Sequence, residues 1–266
     1  MKALVLAMLP VSAIADDSRL RSLDTMDAGR AWMGVGRLDI DGTGFCTGAL
    51  ITPELVLTAA HCLYDKASGE RIDPARIEFL AGWRSGAASA YRFVRRAVVH
   101  PAYDYRGATS PQRVRNDVAL LELQRPIRNT TVLPFETGAR PGRGSDVGVV
   151  SYARDRAEAP SLQEVCSVMA RQQGVLVMSC DVDFGSSGAP IFSFDGGVPR
   201  IVSVVSAKAE VEGERVALGA ALEESLELLH GELAAGRGYV QEAAPRMQRV
   251  IVGGPRNDTG AKFVKP

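Results

Sequence analysis

The chain has 266 residues, 46% of them hydrophobic, and its 31 Lys and Arg residues balance its 31 Asp and Glu residues. A chain of this length can bury a substantial core, so we expect a globular unit of enzyme size. The balanced charge argues against a general nucleic-acid-binding protein, because local basic runs such as Arg95-Arg96 are too short to form a phosphate-binding track.

The first 15 residues have the pattern of an export signal. Lys2 supplies a positive charge, Ala3 to Leu9 form a short apolar stretch, and Ala13 to Ala15 form a small-x-small cleavage site. The stretch is too short to span a bilayer, and no later segment has the length and apolarity of a transmembrane helix. We therefore expect a mature protein that begins near Asp16 and is secreted or periplasmic. Residues 16–30 are then an N-terminal arm or a short propeptide.

Short strands are predicted through most of the chain, because apolar and β-branched runs alternate with turns that carry Gly, Pro, Asp or Asn. The predicted strands are Ala31 to Leu38, Thr47 to Ile51, Leu55 to Ala59, Arg76 to Ala81, Tyr91 to Val99, Val118 to Leu123, Asp146 to Ala153, Cys166 to Val168, Gly174 to Asp181, Ala189 to Phe194 and Arg200 to Ala207. Many short strands in regular succession are typical of a sandwich or a barrel, so we predict an all-β fold.

One helix is predicted late in the chain, from Leu222 to Ala235, where four leucines recur at helical spacing and Gly236 follows as a stop. Residues 237–266 are rich in Gly, Pro and charged residues with little periodicity, which predicts a weakly ordered C-terminal tail. The folded domain is therefore predicted to span residues 31–236.

The chain contains four cysteines, Cys46, Cys62, Cys166 and Cys180. In an oxidising compartment they can form two disulfide bonds, and the sequence alone leaves three pairings open. No Cys-x-x-Cys pair occurs, and His100 and His230 stand apart from each other, so we predict no metal site.

Three stretches supply, in order, the groups that a hydrolytic serine requires. LTAAHC contains His61, RNDVALLEL contains Asp117 before a hydrophobic strand, and FGSSGAP contains Ser187 in a glycine-rich turn. Each stretch alone is ambiguous, since Gly-Ser-Ser-Gly is common in turns and a single histidine can be a packed core residue.

Together the stretches resemble the chymotrypsin-like (trypsin-fold) serine proteases, in a form closer to the secreted bacterial trypsin-like and glutamyl endopeptidase-like members. The likeness covers roughly residues 30–230. GFCTGALITPELVLTAAHCL resembles the segment around the family's catalytic histidine, AVVHPAYD the connection before the aspartate, NDVALLEL the aspartate strand, and GSSGAP the serine loop with two substitutions.

The resemblance implies two packed six-stranded antiparallel β-barrels with the active site in the cleft between them. His61 is then the general base and later the general acid, Asp117 orients it, and Ser187 is the nucleophile of an acyl-enzyme mechanism. The amide N–H groups of Gly185 and Ser187 are expected to form the oxyanion hole.

The resemblance also implies a Cys46–Cys62 disulfide bond that fixes the histidine loop, which leaves Cys166 to pair with Cys180. At Ser186 the chain departs from the zymogen-activated members, which carry an aspartate that pairs with a newly formed N-terminal amine. We therefore expect that this chain does not use that activation switch.

Candidate specificity residues lie before Ser187 and on a later predicted strand. Asp181 lies six residues before Ser187, where trypsin-like members place the carboxylate that binds Lys or Arg, and Asp183 is a nearby competitor. Lys208 near the pocket mouth could instead select acidic side chains. Ser203 or Ser206 matches the serine whose backbone binds the substrate as a strand, and the spacing slightly favours Ser203.

We therefore predict a serine endopeptidase that acts on proteins or peptides as a monomer. No cofactor, nucleic-acid partner or membrane span of the mature protein is predicted. The alternative is a protease-fold protein that has lost catalysis and binds a partner. An α/β-hydrolase esterase is disfavoured, because its nucleophile elbow requires Gly two residues after the serine, where this chain has Ala189.

Overall fold

The computed structural model describes residues 20–211 and 213–240. The predicted signal peptide, residues 16–19 of the predicted arm and residues 241–266 of the predicted tail lie outside the described residues. The strands are β1 Leu20–Ser22, β2 Val35–Ile40, β3 Gly44–Thr52, β4 Leu55–Thr58, β5 Ile77–Ala81, β6 Ala90–Val99, β7 Ala119–Leu123, β8 Asp146–Ala153, β9 Arg156–Gln172, β10 Val175–Met178, β11 Pro190–Ser193, β12 Arg200–Val211, β13 Glu214–Ala221 and β14 Tyr239–Val240. The helices are α1 Met26–Gly29, α2 Pro111–Arg115 and α3 Glu223–Ala234, and 3-10 turns span Arg30–Trp32, Ala60–Leu63 and Pro74–Arg76.

The first barrel consists of β2 to β7, and all of its neighbouring strands are antiparallel. Its strand order is β6-β5-β2-β3-β4-β7, and pairing between β6 and β7 closes it. Every second side chain of a strand points inward, so Leu38, Phe79 and Leu121 are buried in its interior. The short strand β14 adds to β6 through Tyr239, so the first residues of the predicted tail pack on this barrel.

The second barrel consists of β8 to β13 in the order β9-β10-β13-β12-β11-β8, and pairing between β8 and β9 closes it. The strand β1 adds to β9 through the pair Ser22 and Ser161, so part of the predicted N-terminal arm belongs to the folded body. The prediction of two packed six-stranded barrels with a late helix is therefore confirmed.

A hydrophobic layer joins the two barrels and α3. It includes Trp32, Leu57 and Leu120 of the first barrel side, Phe192 and Ile201 of the second barrel, and Leu229 of α3. The rings of Trp32 and Phe192 pack edge to face with centroids 5.0 Å apart. Because both barrels share this layer, the cleft between them has fixed walls.

Several predicted strand bounds differ from those in the structure. The strand predicted from Ala31 begins only at Val35, because Arg30–Trp32 form a 3-10 turn. The pattern predicts only Cys166 to Val168 where β9 spans 17 residues, and it does not predict β13. The strand β13 is rich in small residues, and a Cβ on Gly219 would lie 2.4 Å from Ser203 Oγ, so close packing requires residues that strand propensity disfavours.

The longest described helix, α3, has 12 residues. None of the helices in the described part of the chain has the length and apolarity that a membrane span requires.

Candidate active site

The structure brings His61 and Asp117 together at one end of the first barrel. The strands β4 and β7 are antiparallel and pair Thr58 with Ala119, so the residues after β4 and before β7 emerge side by side. His61 lies in the 3-10 turn that follows β4, and Asp117 lies between α2 and β7. The His61 Nδ1 atom is 2.7 Å from Asp117 Oδ2, and the His61 backbone N–H donates to Asp117 Oδ1 at 2.8 Å.

The hydrogen bonds of Asp117 determine which nitrogen of His61 carries the proton. The side chain of Asp117 is only 4% exposed, and its Oδ2 atom also accepts a hydrogen bond from Ser206 Oγ at 2.5 Å. An ionised carboxylate can only accept hydrogen bonds, so His61 Nδ1 is the donor in this pair. The Nε2 atom of neutral His61 is then unprotonated and available as a base.

Ser187 lies in the segment between β10 and β11, on the second barrel. His61 and Ser187 line the same cavity, which has a volume of about 280 Å³. Among the described residues, Ser187 Oγ has no hydrogen-bond partner. The structure therefore brings His61 and Ser187 to one cavity, and buried Asp117 is hydrogen-bonded to the ring of His61.

The segment from Asp183 to Ser187, which we call the oxyanion loop, is anchored through its carbonyl groups. All five of its carbonyl oxygens accept hydrogen bonds from the protein. The donors, in loop order, are Ser186 N, Arg154 N, Thr47 Oγ1, Ala189 N and Thr47 N, at distances of 2.8 to 3.0 Å. Within the described part of the chain, neither the Gly185 N–H nor the Ser187 N–H has an acceptor. Two amides with no internal partner are available to an oxyanion.

Two glycines permit this loop conformation. Gly185 has φ of +100°, and a Cβ there would lie 2.4 Å from the ring of Phe45. Gly188 has φ of +74°, and a Cβ there would lie 2.5 Å from the carbonyl oxygen of Thr47. Both positions combine a left-handed backbone with a close approach, so only glycine fits without displacing the loop.

The structure distinguishes between the two serines of β12. Ser203 is fully buried and donates its hydroxyl hydrogen to the carbonyl oxygen of Ala220 at 2.7 Å, so it does not line the cleft. Ser206 lies at a break in register between Val205 and Ala207, and it reaches both Asp117 and the pocket beside Ser187. Ser206 is therefore the serine of β12 that lines the pocket beside Ser187, because a β-bulge changes which side chains face it. Which of the two backbones binds the substrate stays a prediction.

The pocket beside Ser187 carries an ion pair at its wall. It has a volume of about 170 Å³ and is lined by Val182, Asp183, Phe184, Ser187, Val205, Ser206, Ala207 and Lys208. Asp183 Oδ1 accepts a hydrogen bond from Lys208 Nζ at 2.8 Å. This bond, together with one from the Phe184 N–H, holds the pKa of the Asp183 carboxyl below its usual range.

Asp181 is not among the residues that line this pocket. It is exposed and lines a neighbouring cavity of about 250 Å³, which shares Val182, Asp183 and Lys208 with this pocket. Asp183 therefore lies at the wall beside the nucleophile, and the role of Asp181 in substrate binding stays a prediction.

Both predicted disulfide pairs are present, Cys46–Cys62 and Cys166–Cys180. Cys46, His61 and Cys62 offer atoms close enough together to suggest a metal site. However, the two sulfurs are bonded to each other and cannot act as thiolate ligands.

The two other histidines have structural surroundings. His100 Nδ1 accepts a hydrogen bond from the Ala102 N–H at 3.2 Å, and burial together with nearby Arg115 lowers the pKa of His100. His230 lies on α3 and lines a cavity together with Phe135 and Leu226. Neither residue contacts the cleft.

Two residues around the site, Phe184 and Thr47, lie in the quoted motifs, but the sequence pattern assigns them no role. Phe184 is 53% exposed and lines both cavities that meet at Ser187. Its ring lies within 6 Å of the cationic groups of Lys66, Arg154 and Lys208. Thr47 anchors two carbonyls of the oxyanion loop from β3. Such residues act through contacts between distant parts of the chain, so local spacing does not reveal them.

Comparison with known proteins gives a consistent result. A family model described as Trypsin matches residues 25–221. Glutamyl endopeptidase of Bacillus licheniformis is 27% identical over 150 residues, which cover 56% of this chain and 45% of the relative. Human mannan-binding lectin serine protease 1 is 31% identical over 109 residues, which cover 36% of this chain and 15% of the relative.

The chain therefore spans less than half the length of these two curated relatives. Among solved structures, that of a Glu endopeptidase in complex with MPD matches with a TM-score of 0.66 and 18% sequence identity. The match covers 81% of this chain and 96% of the other, and at that identity it supports the fold alone.

Proposed function

Because the chain belongs to the trypsin family, with the family model matching residues 25–221, we propose that it is a serine endopeptidase that hydrolyses peptide bonds in proteins or peptides. Ser187 is the nucleophile, His61 the general base and acid, and Asp117 the group that orients His61. The activity, the substrates and the catalytic roles are all part of this proposal.

The acylation step follows from the arrangement of the three side chains. Ser187 Oγ attacks the carbonyl carbon of the scissile bond while His61 Nε2 takes the hydroxyl proton. The negative charge that develops on the carbonyl oxygen is stabilised by the N–H groups of Gly185 and Ser187. Asp117 remains ionised and stabilises the imidazolium. Collapse of the tetrahedral intermediate breaks the C–N bond, and His61 returns the proton to the leaving amine.

Deacylation repeats these steps with water as the nucleophile. Water attacks the acyl carbon and gives one proton to His61 Nε2, and the oxyanion again forms beside Gly185 and Ser187. Collapse releases the carboxylic acid product, and the proton on His61 returns to Ser187 Oγ. Each cycle consumes one water molecule and needs no cofactor.

One observation carries the proposal. The carbonyls of the oxyanion loop are all anchored to the protein, while two of its amides, Gly185 N–H and Ser187 N–H, have no acceptor in the described chain. Amides with no internal partner, fixed beside a serine and an oriented histidine, match what the tetrahedral intermediate of acyl transfer requires. A protein that only binds a partner has no need for such an arrangement.

Several further features belong to the proposal. The ion pair between Asp183 and Lys208 makes the pocket beside Ser187 a poor site for a free cationic side chain, so we do not expect the strong preference for Arg or Lys that an unpaired carboxylate would give. Two disulfide bonds support a protein that works in an oxidising compartment, either secreted or periplasmic. We expect a monomer.

The test is hydrolysis of an unfolded protein such as reduced, alkylated casein, with fragments identified by mass spectrometry. The matched control is Ser187→Ala, which removes only the nucleophilic oxygen. Fragmentation by wild type that is lost in the control supports the proposal. Equal fragmentation by both proteins, or none by folded wild type, would overturn it and favour a protease-fold binding protein.

A further inference from the structure

The oxyanion loop rests on the turn that joins β8 and β9. Arg154 in this turn and the last residues of β8 contact the loop, and Arg156, the first residue of β9, contacts Ser151 of β8. The contacts include a buried hydroxyl pair, a largely buried guanidinium group and one backbone hydrogen bond. None of these groups contacts the substrate in the proposed mechanism.

Ser186 is the innermost residue of the oxyanion loop and is fully buried. Its Oγ atom lies 3.2 Å from Ser151 Oγ and 3.3 Å from the carbonyl oxygen of Tyr152, and it accepts a hydrogen bond from the Asp183 N–H at 3.4 Å. A buried hydroxyl without partners would be costly, so these contacts favour the observed loop position over any that separates Ser186 from β8.

Arg156 fixes the partner of Ser186. Its side chain is only 16% exposed, and its Nη1 atom donates to Ser151 O at 2.9 Å and to Ser151 Oγ at 3.2 Å. Among the described residues its ion-pair partner within 4 Å is Asp155, at 3.9 Å, and Asp181 and Asp183 act on it electrostatically from farther away. Its side-chain hydrogen bonds go to Ser151, so a continuous chain of contacts runs from Arg156 through Ser151 to Ser186.

The same turn sets the direction of the peptide bond between Phe184 and Gly185. The Arg154 N–H donates to the Phe184 carbonyl oxygen at 2.8 Å. In a trans peptide unit the C=O and N–H groups point in opposite directions. Anchoring the Phe184 carbonyl to the turn therefore directs the Gly185 N–H away from the turn, toward the position of the oxyanion.

We infer that Arg156, Ser151 and Ser186 are positioning residues that hold the oxyanion loop in one conformation. In this donor-presenting conformation the N–H groups of Gly185 and Ser187 are available to the oxyanion. The inference rests on the proposed function, since it assigns these residues to the same reaction. Position 186 is a serine, which cannot form an ion pair with an amine. The cation that supports the loop is instead the guanidinium group of Arg156, and it acts through the hydroxyl groups of Ser151 and Ser186.

Loss of this support changes the population of loop conformations. If the donor-presenting state fell to between 1 and 10% of the molecules, turnover would fall about 10- to 100-fold, because only that state stabilises the intermediate. Substrate binding before the reaction uses the pocket and the strand contacts, so KM is expected to change by less than about threefold. A reduced kcat at constant KM indicates loss of transition-state stabilisation.

The test compares Arg156→Met, Ser151→Ala and the conservative variant Arg156→Lys with wild type. Arg200→Met is the matched control, because it removes an exposed arginine whose ion pair with Glu136 lies away from the cleft. Measurements are kcat and KM on one peptide, Kd for a peptidyl boronate that forms a tetrahedral adduct with the serine, and the thermal midpoint of each protein. A crystal structure of one variant reports the direction of the Phe184 carbonyl.

Arg156→Met and Ser151→Ala are expected to lower kcat and weaken boronate binding by similar factors of about 10 to 100, with partial rescue in Arg156→Lys. Because both variants loosen the loop from the end of β8, the Phe184 carbonyl is expected to lose its hydrogen bond from the Arg154 N–H and turn toward the cleft. If kcat and boronate affinity stay within twofold of wild type in folded variants, the inference is wrong while the proposed function stands. If folded wild type neither turns over nor binds boronate, both are wrong. If one variant fails to fold, the other two decide.

Discussion

Replacing Gly188 with alanine should separate a steric effect from a backbone effect next to the nucleophile. Gly188 follows Ser187 directly and has φ of +74°. An added Cβ would lie 2.1 Å from Thr58 Oγ1, 2.5 Å from Thr47 O and 2.8 Å from Ala59 N. Two of these atoms belong to the backbone of the first barrel and cannot move away cheaply. The strain must therefore be relieved by movement of the segment that carries Ser187.

The control for this variant is Gly196→Ala. Gly196 has φ of +82°, and a Cβ there would meet no atom within 4 Å. Both variants share the penalty of about 1 to 2 kcal/mol for a left-handed L-residue. Only Gly188→Ala adds the effect of overpacking, about 1 to 3 kcal/mol. The difference between the two free energies of unfolding therefore measures the steric contact alone.

The expected results differ in activity as well as in stability. A displacement of Ser187 by about 1 Å is enough to lower kcat by about 100-fold, while Gly196→Ala should keep the wild-type kcat. Urea unfolding gives the free energies, and peptide hydrolysis at a temperature where both variants are folded gives kcat. Equal stability and equal kcat in the two variants would refute the close approach between Gly188 and the first barrel.

Three other predictions concern charge and covalent stability. Burial acts to raise the pKa of Glu122, but hydrogen bonds from Arg95 and Arg96 lower it. The Glu122→Gln variant should therefore be about 2 kcal/mol less stable than wild type at pH 7. That difference is present above the unfolded pKa of Glu, about 4.3, and should disappear in urea titrations as the pH falls through the lower pKa of Glu122 in the folded protein. A difference in stability that stays constant down to pH 2 would contradict this prediction. Lys208→Ala leaves Asp183 unpaired, and kcat/KM for Arg relative to Leu before the scissile bond should rise about tenfold in a matched peptide pair; an equal change for both peptides would count against it. Replacing both cysteines of the Cys46–Cys62 bond with alanine should lower the free energy of unfolding by about 3 kcal/mol, and a loss below about 1 kcal/mol would show that the bond contributes little.

The sequence predicts the parts of this molecule that depend on local pattern. The three motifs identify His61, Asp117 and Ser187 because each combines a reactive side chain with a recognisable neighbouring strand or turn. The late helix follows from a leucine repeat, and the structure limits it to Glu223–Ala234. The two-barrel fold follows from the family resemblance together with the succession of short strands.

Features that depend on tertiary register are not predicted. Counting residues cannot choose between Ser203 and Ser206, because the bulge at Val205 and Ala207 shifts which side chains face the cleft. Asp181 has the expected spacing from Ser187, yet it lines the neighbouring cavity, and Asp183 lines the pocket beside Ser187.

The support of the oxyanion loop is also invisible in the sequence. The contact between Ser186 and Ser151 joins residues 35 positions apart; Ser186 lies in the serine motif, but nothing in the sequence marks Ser151 as its partner. Such a pair is defined only once two elements of the second barrel have packed against each other.

The most direct test of the central claim is labelling of the folded protein by a fluorophosphonate, followed by intact mass and peptide mapping. The reagent bonds to a serine only when a base activates the hydroxyl and donors stabilise the oxyanion. We predict one adduct per chain, located on Ser187, and none in Ser187→Ala. Folded wild type that shows no adduct, or an adduct that persists in the alanine variant, would contradict the proposed active site.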